Sequence, residues 1–179
     1  WLARWILVRK WVLPVVRKAT RFLMATILFN ALIVFFHWPV IVTLTLNNGL
    51  IHFLAHFVMV ICFVVIWMVI VSPAPEIRRP TPIIQMIFLF LQSVIPTIPA
   101  SFLTFGSTPL YKVYVDLPKL FSLTALEDQR IAGLVMKLGG GLLLWGVIAV
   151  IFFQWSSSEG KRELRYRRSI GNKLKAEKS

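Results

Sequence analysis

Residues 50–71 read LIHFLAHFVMVICFVVIWMVIV, a run without one Asp, Glu, Lys or Arg. A helix of about 20 apolar residues crosses the roughly 30 Å hydrocarbon core of a bilayer. It does so because lipid offers no partner to a backbone N–H or C=O, and a helix satisfies its own. Working outward, residues 22–44, 83–105 and 131–155 qualify in the same way. The predicted fold class is therefore all-α: a polytopic membrane helical bundle of about four transmembrane helices over residues 22–155. A composition of 58% hydrophobic and 15% charged residues is too apolar for a soluble domain and fits that reading. The runs are too long for a cleaved signal peptide, and no small-residue cleavage pattern follows the first. Because the chain opens on Trp1 rather than Met, a further upstream portion is expected.

The net charge of +13 is sorted by side. Arg4, Arg9, Lys10, Arg17, Lys18 and Arg21 precede the first span, Arg78 and Arg79 lie between the second and third, and a basic tail over residues 156–179 follows the fourth. The other side carries Lys112, Lys119 and Arg130, offset by Asp116, Glu127 and Asp128. The positive-inside rule then predicts both ends of this segment in the cytoplasm of a bacterial inner membrane. The tail reads as a topology and membrane-lipid anchor. It has one aromatic residue, Tyr166, and no binding module, so nucleic acid is not expected as a partner.

Residues 1–21 alternate Trp, Ile, Leu and Val with Arg and Lys, which predicts an N-terminal interfacial amphipathic helix, broken near Pro14. Asn47, Asn48 and Gly49 predict a tight helical hairpin between spans one and two. Pro96 and Pro99 predict a kink in span three. Tyr111 and Tyr114 suit an interfacial loop. Gly133, Gly139, Gly140, Gly141 and Gly146 would permit close helix approach in span four. The lone Cys62 excludes an intrachain disulfide.

The three histidines fall in the outer half of the first two spans. His52 and His56 are four apart, hence one turn apart on one helix face, with Met59 three further on. The hairpin is expected to bring His37 close to them. Imidazoles at that spacing can chelate a transition metal, and a thioether favours Cu(I); haem iron is equally compatible with imidazole. A His pair that bonds interfacial water or a carbonyl would look the same in sequence. Glu127, Asp128 and Gln129 open span four: they can cap that helix, or orient an imidazole and attract a cation. Met136, seven residues beyond Gln129, could add a second thioether. Lys137, two turns into span four, must snorkel, pair or line a polar cavity. No nucleophile triad, P-loop or dinucleotide fingerprint is present, which argues against an enzyme.

His37-Trp38-Pro39, the stretch Asn48 to His56, Pro109-Leu110-Tyr111 and Leu126-Glu127-Asp128-Gln129-Arg130-Ile131-Ala132-Gly133-Leu134-Val135-Met136 resemble, in order and spacing, the caa3-type cytochrome c oxidase assembly factors, the CtaG-like membrane proteins. The resemblance covers roughly residues 37–155. It implies copper handling during assembly of a haem–copper oxidase, with His37, His52 and His56 as candidate ligands and Asp128 and Met136 in support. Lys137 and the run Gly139-Gly140-Gly141 depart from the family pattern, and no counterpart is seen of a paired-His motif on an earlier span. Two readings follow. One is a copper-handling assembly factor; the other is an accessory structural subunit of a larger respiratory or photosynthetic membrane complex.

Overall fold

The computed structural model describes residues 9–117 and 122–176, and among them the only regular structure is helical. The elements are α1 (Val12–Ala19), α2 (Phe22–Phe36), α3 (Pro39–Asn47), α4 (Gly49–Val71), α5 (Pro82–Val94), α6 (Thr97–Phe105), a 3-10 turn (Lys112–Tyr114) and α7 (Ala125–Ala176). Three stretches are long and apolar enough to cross a membrane: Gly49–Val71, Pro82–Phe105 and Ala125–Ile170. The pair α1 and α2, bent by 82°, makes a fourth if it is counted as one span.

The apolar run 22–44 is two helices rather than one. Pro39 takes the first position of α3, and Trp38 before it is held extended at φ −71°, ψ 128°. Proline disfavours helical backbone in the residue before it and has no N–H to give a preceding turn, so α2 stops at Phe36. Its 15 residues extend about 22 Å, short of a full bilayer core. Asn48 then caps α4, its side chain accepting from Leu50 N and Ile51 N at 3.0 and 3.2 Å, and α4 turns back against α3 and α2.

The described part of the interfacial segment, α1, is continuous through Pro14, which sits in the first turn where no intrahelical donor is required. The expected break there does not occur, and residues 1–8 lie outside the described part. Arg17 Nε donates to the Glu76 carbonyl at 3.0 Å, fastening α1 to the loop between α4 and α5 at the basic end of the bundle. The kink expected in span three is a break at Ile95 and Pro96, dividing α5 from α6. The basic tail continues α7 as helix, with Arg162–Glu159 and Arg167–Glu163 ion pairs at 3.0 and 2.8 Å one turn apart.

Ala25, Phe29, Cys62, Ile66, Phe88, Leu89 and Ile151 form the apolar centre. Beside it lies a polar node. Asn30 Nδ2 donates to Gln92 Oε1 at 2.9 Å and to the Thr26 carbonyl at 2.8 Å, and Gln92 Nε2 donates to Thr26 Oγ1 at 3.2 Å. Among the glycines of span four, Gly133 is the one at a tight contact. A Cβ there would meet Ala100 O and Leu103 Cβ at 3.0 Å, whereas Gly139, Gly140, Gly141 and Gly146 have nothing within 4 Å. Of these glycines, Gly133 alone serves a close approach, to α6, and the lower glycines face open space.

Candidate functional site

The end of the bundle opposite the basic loop, called here the hairpin end, carries the three histidines read from the sequence as candidate ligands. His37 closes α2. Its Nδ1 lies 2.7 Å from the Ile33 carbonyl. A carbonyl only accepts, so this contact fits a proton on Nδ1, and in the neutral ring Nε2 is then the nitrogen open to a ligand. The His37 carbonyl in turn accepts from Tyr111 Oη at 3.1 Å, across 74 residues of chain. The half-buried Tyr111 phenol is pushed up from 10.0 to about 12 by burial, and Tyr114 beside it adds to the shift.

His52 and His56 come together as their spacing requires, with ring centroids 4.6 Å apart and planes tilted by 50°. Both are exposed. His37 does not complete a trio with them: among the described residues no three His, Cys, Asp or Glu are grouped closely enough to hold a metal. The expectation that the hairpin brings all three together is therefore not met. The nine residues of α3 place His37 about 14 Å from the hairpin tip, while on α4 His52 lies within one turn of that tip and His56 one turn further along. The level of His37 is matched on α4 by Met59, which enters a small apolar cleft with Ile33, Phe36 and Cys62.

The acidic motif at the start of α7 does something other than face the histidines. Glu127 forms a capping box with Thr124: its Oε2 accepts from Thr124 N and Oγ1, both at 2.8 Å, and Thr124 Oγ1 accepts from Glu127 N at 3.2 Å. Asp128 is exposed. Gln129 is buried and braces the loop, its Oε1 accepting from Leu110 N at 2.5 Å and its Nε2 donating to the Leu103 carbonyl at 3.1 Å. Arg130 Nη2 donates to the Gly106 carbonyl at 3.0 Å. Met136 and Lys137 line a separate cavity of about 310 Å³ bounded by Phe29, Trp67, Gln92 and Thr97. The residue that composition and spacing did not single out for the site is Tyr111. Its signal was present in the Pro109-Leu110-Tyr111 segment, and its role is to pass the loop's fixed position on to His37.

The hairpin end thus holds a paired imidazole on α4 and, apart from it, His37 fastened through Tyr111 to the loop that Gln129 and Arg130 brace. The family described as cytochrome c oxidase caa3 assembly factor (Caa3_CtaG) matches this sequence over residues 1–158. The chain belongs to that family. The match includes the segment before His37, so the family's pattern takes in α1 and α2 as well as the motif-bearing helices. No curated protein and no solved structure matches the chain. As a member of an assembly-factor family, the chain is tied to the building of a cytochrome c oxidase, an enzyme whose metals are copper and haem iron. The two exposed imidazoles suit copper as donors, and two ligands are what they supply between them.

Proposed function

We propose that this chain is a copper-handling assembly factor of a haem–copper oxidase in the bacterial inner membrane, with both ends of this segment in the cytoplasm and the hairpin end outward. The observation that carries the reading is the His52–His56 pair, two imidazoles 4.6 Å apart and open at the hairpin end. Copper is the cargo. Two imidazoles bind Cu(I) with neutral nitrogen donors and leave coordination positions free, as release to an acceptor requires. His37 serves as a further donor through Nε2, and Met59, at its level on α4, is the thioether within the same hairpin. Met136, in its separate cavity on α7, is not assigned to the cargo, while Glu127 caps α7 and Gln129 fixes the loop. The charge sorting by side supports the orientation. Binding and hand-over need no covalent step, so no residue is assigned a catalytic role. Haem remains a second ligand compatible with the exposed pair.

In cells that make this chain, replacing His52 and His56 with Ala is expected to lower the activity of the copper-containing oxidase while leaving the chain's membrane level unchanged. Full oxidase activity in the double variant overturns the reading.

A second reading, an accessory subunit of a larger respiratory or photosynthetic complex, is favoured by α7. Val135, Leu138, Leu142, Trp145 and Phe153 of that helix are exposed, which leaves a helix face for lipid or a partner. Under that reading the chain stays with the large complex through detergent washing, and its histidine variants leave the oxidase intact.

A further inference from the structure

We propose that the groove between α6 and α7 binds one anionic phospholipid at the hairpin end, its phosphate between Arg130 and Lys137 and one acyl chain along the groove. The groove has a volume of about 970 Å³, and Ile98, Phe102, Leu138, Leu142 and Trp145 form its apolar walls. From Lys137 to Trp145 it follows eight residues of α7, about 12 Å of helix. That is most of one leaflet, which is half of a roughly 30 Å core. The glycine face described above lies open here, Gly141 lining the groove with no atom that would meet a Cβ within 4 Å.

The charge in the groove is what selects the occupant. Lys137 is exposed and takes part in neither of the described ion pairs, and the described carboxylates at Glu76, Asp116, Glu127, Asp128, Glu159 and Glu163 all lie outside the groove lining. An ammonium inside an apolar span is costly unless it reaches a counter-ion. Side chains on a helix lean toward its N-terminus, so the ammonium is directed up the groove to the Gly106 end. Arg130 stands two turns above Lys137 on nearly the same face, its guanidinium already on the Gly106 carbonyl at the groove mouth. Further guanidinium N–H groups suit phosphate oxygens there. A partner helix would have to bring a carboxylate to the depth of Lys137, whereas a lipid presents phosphate at the mouth and hydrocarbon below it. This site is independent of the copper reading.

The test is tryptophan quenching in the full chain reconstituted in phosphatidylcholine vesicles containing either brominated-chain phosphatidylglycerol or brominated-chain phosphatidylcholine. The Trp145 contribution is the difference between wild type and Trp145→Phe. The proposal expects that contribution to be quenched at a several-fold lower mole fraction of the phosphatidylglycerol, and Lys137→Met to abolish the difference. Arg130 also holds Gly106, so Lys137→Met alone is the deciding variant, with helix content by circular dichroism confirming that it folds. Equal quenching by the two lipids, a preference that survives Lys137→Met, or a copurifying membrane protein released by Lys137→Met without any lipid preference would each overturn it.

Discussion

Tyr111 Oη donates to the backbone carbonyl of His37 at 3.1 Å, and so a loop between α6 and α7 holds the helix end that presents a candidate ligand. Tyr111→Phe removes the donor and leaves a half-buried carbonyl short of one partner. The expected cost is about 1 kcal/mol of stability, the net worth of a typical hydrogen bond, measured by thermal unfolding in detergent. The same contact has a pH signature. An unfolded phenol ionises near 10.0, while burial holds the folded group up to about 12. The folded pKa is raised, so the contribution is complete below pH 10 and is lost as pH rises towards 12. Alkaline stability should therefore fall less in Tyr111→Phe than in wild type, and the phenolate absorbance missing from the variant should be the latest to appear.

Gly133 packs where a Cβ would meet Thr104 Oγ1 at 2.5 Å and Ala100 O at 3.0 Å. Gly133→Ala is expected to force α6 from α7 and cost about 1–3 kcal/mol. Gly139→Ala and Gly140→Ala meet nothing within 4 Å and should be neutral, or stabilising by up to about 1 kcal/mol through helix propensity. A common unfolding assay separates the two classes, and equal effects would contradict the packing described.

Gln92 bridges Asn30 and Thr26 across the interface of α2 and α5. Gln92→Leu leaves Asn30 without its cross-helix partner while conserving volume. Because interhelical hydrogen bonds in membranes average about 0.6 kcal/mol, the expected loss is about 1 kcal/mol rather than the several expected of a cavity in a core. Gln92→Ala, which adds the cavity, should be distinctly worse in the same measurement.

Gln129 holds Leu110 and Leu103 from one buried side chain. Gln129→Leu strands both backbone groups, at about 1–3 kcal/mol in all. The readout is local: amide exchange over residues 106–114 should rise, with α4 unchanged. Glu127→Gln keeps an acceptor for Thr124 and should leave exchange in this loop nearly as in wild type.

The membrane class, the helices flanking Asn48 and the break near Pro96 were legible because each depends on local rules: apolar length, a capping Asn, a proline within a span. The break at His37 was signalled by Trp38-Pro39, yet apolar length alone reads 22–44 as continuous. Gly139 to Gly141 read like a packing stripe, and only the tertiary arrangement reveals that Gly133 makes the close contact. The His pair follows from helical spacing. The separation of His37 from it does not, because it depends on how α2 and α3 pack against α4, which helical period does not encode. Gln129 and Tyr111 read as a cap neighbour and an interfacial aromatic; their work is long-range, with partners 19 and 74 residues away, which local pattern does not encode.

The most direct test of the central claim is the Cu(I) stoichiometry and affinity of the detergent-purified chain, by competition with a chromophoric chelator, for wild type and for His52→Ala with His56→Ala. The account predicts one tightly held Cu(I) in wild type and a loss of at least tenfold in affinity in the double variant, with unchanged helix content. Equal affinity in the two proteins, or no Cu(I) retained by wild type, would contradict it.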